Sequence, residues 1–395
     1  MIFDADGHVA EPMSVWTDYL DRKWYPQFHF DRGPSGIESL VVEQHVQTED
    51  RELRAFSMGD SMTPRGILPG RARHRRYEEG HPGGAQPRER LKVHDDEGID
   101  GAVLFTTFGL WVGSVQNPGL AVAVSNALNR WLADYCSVAP RELFGVATLS
   151  PQDPESAAGE LRRCVEEHGF VAGTIRPNPT MEGKTVAHPA LYPIWETAQD
   201  LGVPICLHSG SNGWQNFLGR DRANTPVVRH IMDHAFEMMA AFGAMYESGL
   251  FERFPTLGVG FMESSASWAP FWLDRLDEHV ETWGFSLPPE VKRPPSEVFR
   301  EQCAIGGEGE EPMLPYVQDR LGSDRVMWAS DFPHFDCQVP GLTAPVQDRN
   351  DLTDEQRTGF LAKAAIDFYH LDGPTIEKAA ASRRAAVQAN RDRNE

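Results

Sequence analysis

IFDADGH, residues 2–8, is the stretch that decides the fold. An apolar start running into polar residues reads as a buried strand that ends in ligand-type side chains. Asp6 and His8 stand two positions apart, and the period-2 alternation of a strand turns both to the same side. Seven further short apolar runs follow, at 101–106, 143–150, 171–177, 203–209, 257–264, 302–306 and 326–331. The run at 302–306 carries the least pattern of the set. Helical patterns lie between them at 118–139, 154–168, 191–201, 225–254 and 266–283. Each is long enough to make the crossover that parallel strands require. Strand and helix in alternation predict an α/β chain, and eight strands is the number that closes a (β/α)8 TIM barrel.

A barrel needs about 250 residues, and this chain has 395. The surplus falls in two places. Residues 25–90 form an insertion after strand 1, rich in Arg, Gly and Pro, with GPSG at 33–36 and GHPGGAQP at 80–87. A structureless loop of that length is unusual inside a domain, so it is expected to pack as a lid over one barrel mouth. Its basic run at 71–76 would either hold an anion or a neighbouring subunit, or simply be solvated. The barrel is then assigned to residues 1–24 and 91–373. Residues 374–395 are a polar tail that reads as a helix or a frayed end.

Composition narrows the partners. Hydrophobic residues make up 41% and charged residues 24%, as in an ordinary globular protein. The formal charge of −21 argues against nucleic acid and anionic membranes. No run approaches the roughly 18 apolar residues that span a bilayer, and the first residues lack a signal-peptide pattern. The five cysteines are scattered, with no CxxC spacing. Free thiols in a cytoplasmic protein are expected, and no zinc knuckle.

In a barrel, catalytic side chains sit where strands end, because the βα loops build the active face. Strand 1 ends in Asp6 and His8, strand 5 in His208 (ICLHSG), strand 6 in Glu263 (GFMESS) and strand 8 in Asp331 (ASDFPHFD). Any one of them has a bland reading. A strand-end histidine is commonly a hydrogen-bonded structural group, and an Asp before Phe-Pro commonly starts a turn. Five at matching ends of four strands point to a metal centre. His234 is the preferred extra ligand or proton carrier, and it shares a helical face with His230. His334 would line the site or support its ligands. Arg176 would hold a substrate anion or cap a loop, His188 lies near the same strand, and Trp214 and Trp268, with Trp111, Phe108 and Phe332, would make the pocket walls apolar.

The segments DADGHVAEP, LKVHDDEGIDGAVLF, HPALYPIWETAQDLGVPICLHSG, FERFPTLGVGFMESSASWAPFWLDRL and ASDFPHFD resemble the amidohydrolase-related (amidohydrolase-2) family, which is similar to the aminocarboxymuconate semialdehyde decarboxylases. The resemblance covers most of the chain outside the insertion and the tail. It implies a distorted (β/α)8 barrel, a divalent metal at Asp6, His8, His208 and Asp331, a small-molecule substrate, and a possible homodimer. Two departures bear on chemistry. The decarboxylase relatives carry H-x-H or E-x-H on strand 1 and a histidine on strand 6, where this chain has D-x-H and Glu263. Strand 4 (VAGTIRPNP) has no lysine to act as a carbamylated bridge.

Charge weighs these departures. Asp6, Glu263 and Asp331 bring three negative charges, so one divalent ion leaves the site net negative and two leave it net positive. The expectation is therefore a binuclear, carboxylate-rich centre of Fe, Mn or Zn, with Glu263 as the bridge. Catalytic roles are expected of Glu263, His234 and Asp331. Three functions are compatible: hydrolysis or C–C lyase chemistry, hydroxylation of a bulky apolar substrate at a diiron site, and a non-catalytic binding role that the near-complete ligand set disfavours.

Overall fold

The structure is a computed structural model that describes residues 1–32, 38–43, 45–46, 58–65, 75–179, 183–210 and 217–394. Its eleven described strands are β1 (Phe3–Val9), β2 (Phe28–Arg32), β3 (Glu38–Val42), β4 (His45–Val46), β5 (Gly101–Thr106), β6 (Leu143–Thr148), β7 (Ala172–Ile175), β8 (Ile205–His208), β9 (Val259–Met262), β10 (Cys303–Gly307) and β11 (Val326–Trp328). Eight of them form one parallel sheet in the order β1-β5-β6-β7-β8-β9-β10-β11. The chain after β11 returns to β1 through Asp331 N–H to Asp6 C=O (3.0 Å) and His8 N–H to Phe332 C=O (2.8 Å). The fold is therefore a nearly closed, distorted (β/α)8 barrel. All eight expected strands form, including the weakly patterned seventh as β10.

Alternation within the strands sorts side chains into two apolar clusters. Val103, Phe105, Val146, Cys206 and Met262 belong to one, together with Phe368 and Ile376 from the C-terminal helices. Leu104, Ala147, Leu207 and Phe261 belong to the other, which the surrounding helices cover. His208 follows Cys206 at period 2 and so opens on the face of the first cluster. At β1 the register shifts between Asp4 and Gly7. A Cβ on Gly7 would lie 2.7 Å from Asp4 Oδ2 and 3.0 Å from Arg90 Nη2, a close approach that only glycine permits.

The helix expected over 225–254 is divided. Thr225 caps Pro226–Ile231, a π-turn occupies Met232–Phe236, Glu237–Glu247 continues as α-helix, and Gly249 (φ 71°) breaks the chain before Leu250–Arg253. The tail is a docked helix, Gly373–Asn394, whose Arg383 meets Asp95 and Glu142 and whose Arg384 meets Asp100. Within the expected insertion, β2, β3 and β4 form an antiparallel sheet. The helix Pro87–Glu97 begins before residue 90, the insertion's expected end. Residues 71–74 of the basic run lie outside the described residues. All five cysteines are buried and unpaired. No described helix is long and apolar enough to cross a membrane.

Candidate metal centre

Three donors, Asp6, His208 and Asp331, gather around His8 Nε2 above the barrel, in two overlapping groups, Asp6–His8–His208 and His8–Asp331–His334. His8 Nε2 lies 3.1 Å from His208 Nε2, 3.6 Å from Asp6 Oδ1 and 3.5 Å from Asp331 Oδ1, and His208 Nε2 lies 3.2 Å from Asp6 Oδ1. Spacings near 3 Å are those of ligands around one cation with bonds of about 2.0–2.2 Å. The tautomer of His208 fits as well. His208 Nδ1 is 2.7 Å from the Ser209 carbonyl, which only accepts, so Nδ1 carries the proton and Nε2 keeps its lone pair. Burial, then the neighbouring His334 and His208, hold His8 well below its ordinary pKa, so its ring is neutral. Among the described residues His8 Nδ1 has no hydrogen-bond partner to fix the ring's tautomer, and the 3.1 Å approach of the two Nε2 atoms is met by a proton on one of them or by a cation between them. His208 shows the same demand. Burial opposes its charged form, but the charge and hydrogen bond of Asp6, with Glu263, outweigh it and raise the group to about 9.

Support for these donors runs through groups that motif reading passes over. Asp4 accepts from the Ser330 hydroxyl (2.5 Å) and the Ser330 N–H (2.9 Å), tying β1 to the loop that carries Asp331. Arg90 is fully buried, donates to the His8 carbonyl (2.7 Å) and the Phe332 carbonyl (3.1 Å), and lies over the Phe332 ring. His334 stacks on His8 at 4.2 Å, contacts Asp331 Oδ1 through Nδ1 (2.6 Å), and reaches Thr107 Oγ1 through Nε2 (3.1 Å). It is placed to orient Asp331. Asp4 shares the parity of Asp6 and His8, a signal that could have flagged it, whereas nothing in the sequence around Arg90 marks it.

Glu263 stands at the end of β9 beside a second group of donors. Its Oε2 lies 3.3 Å from His208 Nδ1 and its Oε1 lies 3.7 Å from His234 Nε2. His234 Nδ1 meets the His230 carbonyl at 2.6 Å, which leaves Nε2 as the lone-pair atom of the neutral ring, and the two rings stack at 3.9 Å. Among the described residues, His234 Nε2 and Glu263 Oε2 are buried atoms with no hydrogen-bond partner. A 3.7 Å gap is too long for a hydrogen bond; it is an ion pair when His234 is protonated and is wide enough for a shared ion when it is not. His230, His234 and Glu263 form one group that could hold a metal, alongside Asp6–His8–His208 and His8–Asp331–His334.

Backbone and charge mark the same place. Glu263 (φ 51°) and Asp331 (φ 52°) are non-glycine residues in the left-handed region. Such strain costs about 1–3 kcal/mol per residue and gathers at functional sites. Burial, then Asp336 and Glu263, push Asp331 well above the usual carboxylate range. Burial and the neighbouring Glu311 and Asp336 raise Glu308 to about 7. The acidic crowd calls for cations.

Part of this cluster opens on a cavity of about 410 Å³ lined by Asp6, His230, His234, Glu263 and Asp331, with Glu308, Asp336 and Arg65 also on its wall. Its described walls mix polar and apolar groups, with Ile231, Leu342, Pro345 and Trp328 beside the charged residues. The expected aromatic lining is placed elsewhere: Trp268 is buried and donates to Ser264 Oγ (3.2 Å), Trp111 packs on Phe108, and Trp214 lies outside the described residues. Arg176 is buried. Its guanidinium is buried against Asn178, Asp233 and the Leu110 carbonyl. His188 caps Pro189–Leu191 through Ala190 N–H.

Comparison with known proteins agrees with this architecture. The sequence profile of the family described as amidohydrolase matches residues 4–371. The 2-amino-3-carboxymuconate-6-semialdehyde decarboxylase of Dictyostelium discoideum is 28% identical over 295 residues, which cover 72% of this chain and 77% of that protein. Among solved structures, an amidohydrolase from Mycobacterium avium subsp. paratuberculosis superposes with a TM-score of 0.75 at 19% identity, over 93% of this chain and 98% of the other. The dihydroxybenzoic acid decarboxylase of a Polaromonas species, solved with manganese and 2-nitroresorcinol, superposes at 0.62 with 20% identity, over 95% and 98%.

Proposed function

The chain belongs to the amidohydrolase family, and from that premise we propose that it is a divalent-metal-dependent C–C lyase, of decarboxylase type, acting on a small conjugated organic acid. The observation that carries this reading is the placement of His208, Asp6 and Asp331 each within 3.1–3.6 Å of His8 Nε2 at the barrel mouth. Those four would hold the first ion, and Glu263 with His234 would hold a second. A bound divalent ion supplies Lewis acidity that polarises a carbonyl, carboxylate or phenol oxygen. The protein's own part is orientation and charge. His334 and Thr107 fix Asp331, Asp4 and Arg90 fix β1, and the three ligand carboxylates set the net charge that an anionic substrate meets. With two ions that charge is positive, which favours such a substrate. Metal-assisted hydrolysis on the same residues is the neighbouring reading.

Whether Glu263 and His234 hold an ion or exchange a proton depends on the metal count. The 3.7 Å gap and the unpartnered Nε2 support the ion. Replacing Glu263 by His is expected to cut the count, measured by elemental analysis, from about two ions per chain to about one. An unchanged count would refute the bridge. Three carboxylates with imidazoles also suit iron, so a diiron hydroxylase is the rival reading. The related enzymes with stated activities above are decarboxylases, which supports the lyase. Carbon dioxide release from conjugated acids by the manganese- or zinc-loaded chain without oxygen is the expected result. A strict need for iron and oxygen would sink it.

A further inference from the structure

The helix that carries His230 and His234 is not regular, and its irregularity is anchored. Met232–Phe236 is a π-turn between two α-helical stretches. A π-turn holds one extra residue in the helix and recurs at functional sites. Closing it to α would move everything downstream by one residue, a rotation of about 100°, and His234 would no longer stand over Glu263. Something must therefore hold it open.

Asp233 lies inside that turn, 2% exposed. Its Oδ1 accepts from Asn178 Nδ2 at 3.0 Å, and its Oδ2 meets Arg176 Nη2 at 3.5 Å. Arg176 is fixed in turn by Asn178 Oδ1 (3.0 and 3.1 Å) and the Leu110 carbonyl (3.0 Å). A charged group so deeply buried is tolerated only where it is paired and hydrogen-bonded. This one is, and both its partners lie outside its own helix, on the loop after β7. The arrangement clamps the turn to the barrel.

We infer that Asp233, Arg176 and Asn178 are positioning residues for a second cation site formed by His230, His234 and Glu263, separable from the site of Asp6, His8, His208 and Asp331. The inference rests on the two-ion reading and goes beyond it by adding His230 as a donor and by naming what builds the site. Groups that orient ligands from behind typically change metal affinity by about 10- to 100-fold when lost.

The test is equilibrium titration of the metal-stripped full chain with Mn²⁺ alone, resolving two binding steps. The unaltered chain is expected to bind two ions. Asp233→Asn should weaken one step by at least about tenfold and leave the other in place. His230→Gln should weaken the same step without touching the clamp. Two ions bound with unchanged affinities by Asp233→Asn would overturn the positioning role and leave the two-ion reading intact. A single ion on the unaltered chain would overturn both. Loss of both ions from Asp233→Asn would also overturn the inference, because it would mark the cluster as general support for the fold.

Discussion

The two groups of donors around the cavity are built by different means. Asp6, His8, His208 and Asp331 stand on or just past strand ends, and backbone hydrogen bonds tie β1 to the loop after β11. Their spacing comes from the sheet. His230 and His234 stand on a helix whose geometry a buried charge network holds away from regular α, and Glu263 adopts a left-handed backbone to reach them. The first group inherits its order from the fold, whereas the second depends on a few particular side chains. The first should therefore resist distant substitution and the second should not.

The largest effect is expected at the centre of the first group. His208→Ala removes a donor shared by Asp6 and His8 and the neighbour of Glu263. Loss of a Lewis acid worth several kcal/mol should lower turnover on the order of 10³-fold, with metal content falling in parallel. Retention of full metal and activity would break the comparison at its root.

An intermediate effect is expected behind the first group. Arg90→Met keeps bulk but leaves the His8 carbonyl without its 2.7 Å donor. A buried polar group so orphaned costs about 1–3 kcal/mol, which denaturant unfolding would register. The weaker Mn²⁺ step should be the one that His230→Gln leaves unaltered. If both substitutions weaken the same step, the two groups are one coupled site.

The smallest effect, read per pH unit, concerns Glu11, just beyond β1. Burial raises its carboxyl to about 8, so the folded chain keeps a proton that the unfolded chain releases near its ordinary value of 4.5. Between those values the native state binds more protons than the unfolded state, and stability falls as pH rises. The slope is at most about 1.4 kcal/mol per pH unit. Glu11→Gln should flatten this decline in thermal melts taken from pH 5 to 8.5. Parallel pH profiles for the two proteins would show that Glu11 titrates normally.

The barrel and its strand-end donors were legible in the sequence for a simple reason. Period-2 alternation and strand–helix repetition are local, and a barrel places catalytic groups where strands stop, so Asp6, His8, His208, Glu263 and Asp331 could be read off one by one. His334 was legible as support because it lies three residues from Asp331. Between the two readings of Arg176, substrate contact or loop cap, the sequence could not choose, since its partner Asp233 is 57 positions away. The aromatic lining turned on the same kind of contact: Trp268 and Trp111 are near the expected loops but are buried.

The sequence by itself determined which residue types stand at the ends of which strands, and with them the carboxylate-rich character of the centre. Only the tertiary structure decided how they group. Whether Glu263 faces one imidazole or two, whether a helix carries a π-turn, and whether an arginine meets a substrate or a buried aspartate depend on contacts between distant segments. Local pattern carries no information about such contacts, because burial and charge pairing arise only when the chain has closed on itself.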